Sequence, residues 1–195
     1  MTKENSQNYL SEIKEVIDRL PLEGLMEIVN LILTAYEKNK QIFVFGNGGS
    51  ASTASHFACD INKTVSLDQE KRFKVICLND NLPTLLAYAN DGSYKDIFLE
   101  QLKNFLQPND LVIGISGSGN SENVVRAIQY ANENSAESIA LTGFDGGKLA
   151  KTAKNSVIIP VNDMQKVEDL HLILVHMIMQ NCFRKCRTST SYPSK

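Results

Sequence analysis

Cysteine is scarce in this sequence, and no two cysteines have the Cys-x-x-Cys spacing of a metal or redox motif. The four cysteines lie at positions 59, 77, 182 and 186. The first twenty residues, MTKENSQNYLSEIKEVIDRL, are polar and charged, unlike the apolar centre of a secretory signal. In a chain without such a signal, cysteines are typical of reduced thiols. We therefore expect a cytoplasmic protein.

Long apolar runs and a strong net charge are also absent. No apolar stretch approaches the roughly 20 residues of a membrane span, so we expect no membrane partner. The net charge is −2 with lysine and arginine scattered along the chain, which disfavours nucleic acid as a partner. A length of 195 residues with 43% hydrophobic residues suits one globular domain. We predict a single domain over residues 1–187 and a loose C-terminal tail over 188–195.

Apolar segments of strand length alternate with helical patterns along the chain. Five segments are apolar on both faces, which is typical of strands buried in a parallel sheet: QIFVFG, FKVICL, DLVIGIS, SIALTG and SVIIPV. Helical spacing occurs over 8–20, after Pro21, and over 50–63, 93–106, 121–134, 147–153 and 167–184. The alternation predicts an α/β fold whose mostly parallel sheet of about five strands is covered by helices on both faces.

Two polar loops follow predicted strands and open predicted helices. GNGGSAS follows the first strand, and SGSGNSEN follows the third. In open parallel sheets, ligands bind at the carboxyl ends of the strands, near the point where the strand order reverses. Glycine lets the backbone approach an anion, and the first amides of a helix attract it. The two loops indicate a ligand with a phosphate at one end and hydroxyl groups at the other.

Other interpretations of these loops fit the residues less well. Neither loop has the lysine that a GxxxxGK[ST] phosphate loop requires. GNGGSA does satisfy GxGxxA, but the acidic residue expected about 20 positions on, at the end of the second strand, comes about ten positions too late, at Asp80. Tight turns without a ligand are common for one such loop. They are a poor explanation for two loops that both combine glycine with several serine, threonine or asparagine residues.

All three histidines fall in two of the predicted helices. His56 and Asp60 are four residues apart and share a helix face, and an imidazole and a carboxylate are both zinc ligands. Glu168 and His176 are eight apart, about 12 Å along a regular helix. One ion does not easily take both from one straight helix, so either the helix is irregular or a neighbouring subunit completes the site. His171 is interpreted as a core or interface histidine.

Four segments together resemble the sugar isomerase (SIS) domain: FGNGGSASTASHFACD, AYANDGSYKDIF, ISGSGNSENVVRAI and VEDLHLILVHMI. Both serine-rich loops are typical of SIS domains. The histidines at both ends and Asn-Asp in the middle narrow the resemblance to the sedoheptulose 7-phosphate isomerases, also called phosphoheptose isomerases. The resemblance covers nearly the whole chain. It implies a flavodoxin-like, three-layer αβα sandwich that assembles as a homotetramer with active sites shared between subunits, and it implies bound Zn²⁺.

The resemblance also assigns residues to roles. The implied substrate contacts are Asn47, Gly48, Gly49, Ser50, Asp60, Asn90, Asp91, Ser116, Gly117, Ser118, Ser121 and Glu168. The implied metal ligands are His56, Asp60, Glu168 and His176. His176 is expected to act as the general acid, and either Asp60 or Glu168 as the base.

Three of these positions differ from the family pattern. Gly117 stands where threonine is usual, Asp60 where the family has glutamate, and Glu168 where it has glutamine. Asp60 and Glu168 would together give a site of two histidines and two carboxylates. More oxygen character makes Mn²⁺ or Fe²⁺ stronger competitors of Zn²⁺ than an amide ligand would.

The resemblance predicts an intramolecular oxidoreductase, a metal-dependent aldose–ketose isomerase. It would convert sedoheptulose 7-phosphate to glycero-manno-heptose 7-phosphate on the way to surface heptoses. Two alternatives stay open. One is an isomerase of another sugar phosphate. The other is a catalytically silent SIS protein that binds sugar phosphate and regulates, of the type that binds the replication initiator DnaA. His56, a nearby carboxylate and His176 favour the enzyme, because a silent protein has no need to keep them together.

Overall fold

Five parallel strands form one sheet in the order β2-β1-β3-β4-β5. The computed structural model describes residues 2–186, so the tail predicted for 188–195 lies outside the described residues. The strand order is that of flavodoxin-like folds, as the resemblance implied. The strands are β1 (Gln41–Gly46), β2 (Lys74–Cys77), β3 (Leu111–Ser116), β4 (Glu137–Gly143) and β5 (Asn155–Ile159).

Eight α-helices in the described residues cover the two faces of the sheet. They are α1 (Lys3–Ile17), α2 (Leu22–Glu37), α3 (Gly49–Cys59), α4 (Leu82–Asp91), α5 (Leu99–Phe105), α6 (Glu122–Glu133), α7 (Gly147–Thr152) and α8 (Met164–Cys186). Helices α1, α2, α3 and α8 pack on one face, and α4 to α7 on the other. The predicted three-layer sandwich is therefore confirmed. Between residues 2 and 186, no helix combines the length and apolar content needed to cross a membrane.

Two stretches differ from the helices predicted from the sequence. The predicted helix over 93–106 is a 3-10 turn (Tyr94–Asp96) followed by α5, and α4 precedes it without having been predicted. None of the residues of α4 is fully buried, and its contact with the core is made by the partly buried Leu85, Tyr88 and Ala89. The predicted helix over 50–63 changes at its end from α to π geometry, over Asp60–Val65.

The strand order brings the two ligand loops together. Strands β1 and β3 are neighbours, and Gly46 at the end of β1 pairs with Ile115 near the end of β3. This is the switch point of the sheet, because the chain runs outward from it in opposite directions. The loops after β1 and β3 therefore border one crevice at the carboxyl edge.

Helix α8 crosses this carboxyl edge, and its side chains pack directly on the glycine backbone at the ends of β3 and β4. A Cβ atom added at Gly143 would collide with the side chain of Val167, and one at Gly117 would collide with Sδ of Met164. Glycine at the strand ends thus allows the first two turns of α8 to lie against the sheet. The close approach fixes where later residues of α8, including His176, meet the crevice.

Candidate active site

The loop after β1 is shaped by an amide and a glycine. The backbone N–H of Gly46 donates to Oδ1 of Asn79 at 3.1 Å, and Nδ2 of Asn79 donates to the carbonyl oxygen of Gly46 at 2.9 Å. Two residues later, Gly48 has φ of +55°, a conformation that glycine adopts readily. The chain then enters α3 at Gly49, leaving Asn47 half-buried beside the crevice.

The loop after β3 has the features of an anion site. Ser121 precedes α6 but its side chain does not cap the helix. Its Oγ lies instead 3.0 Å from Oγ of Ser116. The first amides of α6 thus lack a side-chain acceptor from their own cap, and a helix N-terminus attracts negative charge. Hydroxyl groups and amides around this turn are suited to phosphate.

The turn between β4 and α7 holds this loop in shape. The carbonyl oxygen of Gly117 accepts from the N–H of Gly143 at 2.8 Å, and that of Gly119 accepts from the N–H of Leu149 at 2.8 Å. Oδ1 of Asn120 accepts from the N–H of Lys148 at 3.2 Å. These bonds are all internal to the protein, so the loop keeps its conformation without a ligand.

His56, Asp60 and His176 converge on one point. Nε2 of His56 lies 2.9 Å from Nε2 of His176 and 3.3 Å from Oδ2 of Asp60. Nε2 of His176 lies 3.8 Å from the same carboxylate oxygen. Two imidazoles at this distance either share a proton or bind a common ion. The side chains of His56 and His176 are nearly half exposed, so the group is open to a ligand.

The backbones of two helices position the side chains of His56, Asp60 and His176. His56 and Asp60 are one turn apart, and Asp60 begins the π-helical turn after α3. Wide turns of this kind are frequent at functional sites. α8 runs as one uninterrupted α-helix, which rules out the irregular helix considered from the sequence. It brings His176 to the group, while Glu168 lies two turns earlier.

The donor set fits a zinc ion. Bonds of about 2.0–2.1 Å in a tetrahedral zinc site separate the ligand atoms by roughly 3.3 Å. The three separations here, 2.9, 3.3 and 3.8 Å, lie around that value. Two imidazoles and a carboxylate are also donor types that zinc accepts. Glu168, predicted as a fourth ligand, does not join this group in the described residues.

Glu168 lies instead against the loop after β1. A Cβ atom added at Gly49 would lie 2.5 Å from Oε2 of Glu168 and 2.6 Å from its Oε1. Only glycine therefore allows the carboxylate to approach the loop this closely. The carboxylate sits at the start of α3, where the positive end of the helix dipole favours negative charge. The side chain of Glu168 is half-buried at this place in the crevice.

Within the described part of the chain, Asn90 and Asp91, predicted to contact the sugar, bond each other and not the residues of the two loops. They end α4, are exposed, and bond each other, with Nδ2 of Asn90 donating to Oδ1 of Asp91 at 2.7 Å. Asp91 lines a surface cleft of about 420 Å³ with Asp96 and Glu100. No hydrogen bond among the described residues links the pair to the other predicted site residues.

His171 is a core residue, in line with the sequence interpretation. Its side chain is 1% exposed, and neither ring nitrogen has a hydrogen-bond partner among residues 2–186. Burial lowers the pKa of His171 to about 4. The ring is therefore neutral near pH 7 and takes no part in the group formed by His56 and His176.

Comparison with known proteins agrees with this geometry. The family model described as the SIS domain matches residues 8–143. The chain belongs to the SIS domain family. The phosphoheptose isomerase of Helicobacter pylori is 36% identical over 169 residues, covering 85% of this chain and 87% of that protein. The phosphoheptose isomerase of Aquifex aeolicus is 33% identical over 171 residues, covering 87% and 88%.

The fold of this chain is also similar to that of a solved structure. Phosphoheptose isomerase GmhA from Neisseria gonorrhoeae superposes with a TM-score of 0.86 at 28% identity, covering 94% of this chain and 98% of that one. The prediction that this SIS protein is an isomerase of the phosphoheptose isomerase group is therefore confirmed.

Three residues of the site were not predicted from the sequence. Asn123 and Tyr94 both hydrogen-bond Asn47, and Met164 lies against Gly117. Asn123 and Tyr94 stand inside the segments SGSGNSEN and AYANDGSYKDIF, so the motifs themselves were the available signal. Their partners are distant in sequence, and no local pattern identifies them.

The contact between Met164 and Gly117 gives a testable prediction. Restoring the usual threonine by Gly117→Thr should lower the free energy of unfolding by about 1–3 kcal/mol, because the new Cβ occupies the position of Sδ. Combining it with Met164→Ala should recover most of that loss, and Met164→Ala alone serves as the control. Urea unfolding measures all three. Equal losses for the single and the double variant would show that the thioether is not the obstacle.

Proposed function

We propose that this SIS protein is a metal-dependent aldose–ketose isomerase whose substrate is sedoheptulose 7-phosphate. The convergence of His56, Asp60 and His176 at the sheet edge that carries the two polar, glycine-rich loops supports the proposal most strongly. Aldose–ketose conversion moves a proton between C1 and C2 through an enediol. It needs a base, an acid and a group that polarises the carbonyl. The names of the relatives from Helicobacter pylori and Aquifex aeolicus support the heptose phosphate as substrate.

The two loops divide the binding of the substrate. The phosphate is assigned to Ser116, Gly117, Ser118 and Ser121 with the first amides of α6, where hydroxyl and N–H donors cluster. The sugar is assigned to the loop of Asn47, Gly48, Gly49 and Ser50. A substrate that spans the crevice between β1 and β3 would place its C1 and C2 at the β1 side.

The proposed base and the proposed acid both lie on α8. His176 is the proposed general acid, since its ring is accessible. If its Nε2 holds the ion, the proton it donates would be the one on Nδ1. Glu168 is the proposed base, because it lies on the substrate loop at Gly49, apart from the imidazoles. A positioned acid or base contributes typically about 10² to 10⁴-fold. Asp60 is the alternative base, as the sequence analysis left open.

His56, Asp60 and His176 are the proposed holders of a divalent ion, for which Zn²⁺ is the first candidate. When bound, such an ion supplies Lewis-acid polarisation of the substrate carbonyl. The position of Glu168 favours a contact with substrate over metal ligation. The carboxylate of Asp60 nevertheless gives the site oxygen character, so Mn²⁺ and Fe²⁺ are the expected competitors. The silent regulator is disfavoured, because binding alone needs no such group.

A homotetramer with shared sites is part of the proposal. Helix α4 has no buried residue in one chain and exposes Leu82 and Leu86, each 60% accessible, on one stripe. Exposed apolar stripes of this kind are typical of association surfaces. Asn90 and Asp91 end the same helix. Packing of α4 on another copy would carry these two polar residues to a neighbouring crevice.

The proposed activity is tested directly with a panel of ketose phosphates. Purified protein should convert sedoheptulose 7-phosphate to an aldose, followed by NMR, and in ²H₂O the product should carry deuterium from the enediol step. Dialysis against a chelator should abolish turnover, and Zn²⁺ should restore it. If the protein converts only a different ketose phosphate, that sugar phosphate, and not sedoheptulose 7-phosphate, is its substrate. No conversion of any ketose phosphate by metal-loaded protein would overturn the isomerase.

Substitution of the two carboxylates separates their roles. Asp60→Asn should lose both bound metal and turnover, because it removes a ligand. Glu168→Gln should keep the metal and lose turnover by about 10² to 10⁴-fold. Asp169→Asn is the matched control on α8, since that carboxylate bonds the hydroxyl of Tyr9 instead. Metal analysis and steady-state kinetics give the readout. Wild-type metal content and turnover in both Asp60→Asn and Glu168→Gln would refute the proposed site.

Light scattering tests the assembly. At micromolar concentration the chain should have four times the monomer mass. Leu82→Asp with Leu86→Asp should dissociate it and remove activity, because two carboxylates cannot be buried in an apolar contact. Lys38→Asp changes the charge by the same two units at an exposed position beyond α2, and should leave a tetramer. A fully active wild-type monomer would contradict the shared sites.

A further inference from the structure

Asn47 and Asn123 face each other across the crevice through two reciprocal hydrogen bonds. Nδ2 of Asn47 donates to Oδ1 of Asn123 at 2.8 Å, and Nδ2 of Asn123 donates to Oδ1 of Asn47 at 2.9 Å. Asn123 is only 2% exposed, whereas Asn47 is half-buried. The pair joins the loop after β1 to the start of α6, which follows the loop after β3. The two proposed substrate loops are therefore linked side chain to side chain.

A backbone amide fixes the direction of both side chains. The N–H of Val124 donates to Oδ1 of Asn123 at 3.0 Å, and a backbone N–H can only donate. The oxygen of Asn123 is thereby assigned, so Asn47 must direct Nδ2 toward it and Oδ1 toward Nδ2 of Asn123. The hydroxyl of Tyr94 donates to Oδ1 of Asn47 at 2.9 Å. The oxygen of Asn47 then accepts two bonds, and one N–H of its amide is left.

Tyr94 is itself held near α6 by the two residues that follow it in sequence. Lys95 pairs with Glu122 at 3.1 Å, and Asp96 accepts from Nε of Arg126 at 2.7 Å. Both partners lie on α6, the helix that also carries Asn123. The ring of Tyr94 is 57% exposed, so its position depends on these pairs and on its hydroxyl rather than on burial.

We propose that Asn123 and Tyr94 are positioning residues that hold Asn47 as a donor of one N–H to an oxygen of the bound sugar. The proposal rests on the proposed isomerase. An unrestrained amide presents its oxygen or its NH₂ group equally well, but the locked amide has its oxygen occupied. It therefore selects an acceptor, such as a carbonyl oxygen or the oxyanion that develops from it. Donors fixed in advance toward such an oxygen stabilise the transition state.

Asn123→Asp is the sharpest test, because it is isosteric with asparagine. The carboxylate still accepts from Val124 and from Asn47, but it cannot donate to Oδ1 of Asn47. We expect kcat/KM to fall about 100-fold, mainly through kcat, as for a misplaced catalytic contact. Tyr94→Phe removes one hydrogen bond at an exposed position and should cost about tenfold without affecting folding.

Two control variants match these changes away from the crevice. Asn132→Asp lies on the same helix α6, where Nδ2 of Asn132 donates to the carbonyl oxygen of Thr152 at 2.7 Å. Tyr36→Phe removes a hydroxyl that donates to the carbonyl oxygen of Lys71 at 3.3 Å. Both should stay within about twofold of the wild-type kcat/KM, since a loss of helix stability alone does not turn the amide of Asn47.

A double-mutant cycle decides whether Asn123 and Tyr94 act through Asn47. In an Asn47→Ala background, Asn123→Asp and Tyr94→Phe should have no further effect on kcat. Additive losses would overturn the positioning role. Folded Asn123→Asp protein with kcat and KM within twofold of wild type would also overturn it.

The fixed orientation of the Asn47 side-chain amide, called the lock below, can also be measured without following turnover. In ¹⁵N spectra, the side-chain NH₂ signals of Asn47, assigned by Asn47→Ala, should shift in Asn123→Asp and Tyr94→Phe but not in Asn132→Asp or Tyr36→Phe. If wild-type protein isomerises no ketose phosphate, the proposed function fails, and these signals still decide on the lock. Unchanged Asn47 signals in both test variants would refute it.

Discussion

The close packing of α8 on glycine backbone at the carboxyl edge of the sheet is the constraint on which the site depends. Val167 lies against Gly143, and Glu168 lies against the loop at Gly49. Because protein interiors are close-packed, a helix seated this tightly has little freedom to shift. His176, two turns beyond Glu168 on the same rigid helix, is thereby aligned with His56. The glycines at the strand ends thus help to position the group of His56, Asp60 and His176 as well as forming the turns themselves.

The sequence predicts the sheet and the two loops well, for physical reasons. Strands buried on both faces are continuous apolar runs, and loops that approach an anion need glycine and hydroxyl groups close together in the chain. Helix α4 escaped prediction because it is short and none of its residues is fully buried within one chain. The location of Glu168 also escaped prediction, since its contact with Gly49 depends on how α8 crosses the sheet. Asn123 and Asn47 are 76 residues apart, a separation no local pattern spans.

Two departures from the family pattern, Gly117 and Asp60, are each accommodated by neighbouring side chains. Glycine at position 117 removes a hydroxyl from the phosphate loop, and the thioether of Met164 fills the space. The shorter carboxylate of Asp60 still reaches both imidazoles, since it lies 3.3 Å from His56 and 3.8 Å from His176. Asparagine amides, which form the link between the two loops, keep the crevice ordered without charge. The crevice therefore combines the carboxylate and imidazoles of His56, Asp60 and His176 with amide groups at the loop after β1, where Glu168 supplies the one nearby carboxylate.

The π-helical turn after Asp60 has a consequence for how this fold tolerates changes in chain length. A π turn bonds residue i to i+5 instead of i+4, so it absorbs one residue more than an α turn. His56 and Asp60 lie at or before its first residue, while Ile61 and Val65 within it are fully buried. Loss of one residue here would convert the turn to ordinary α-helix and leave His56 in place. We therefore expect the gain or loss of one residue within this segment to leave the position of His56 largely unchanged.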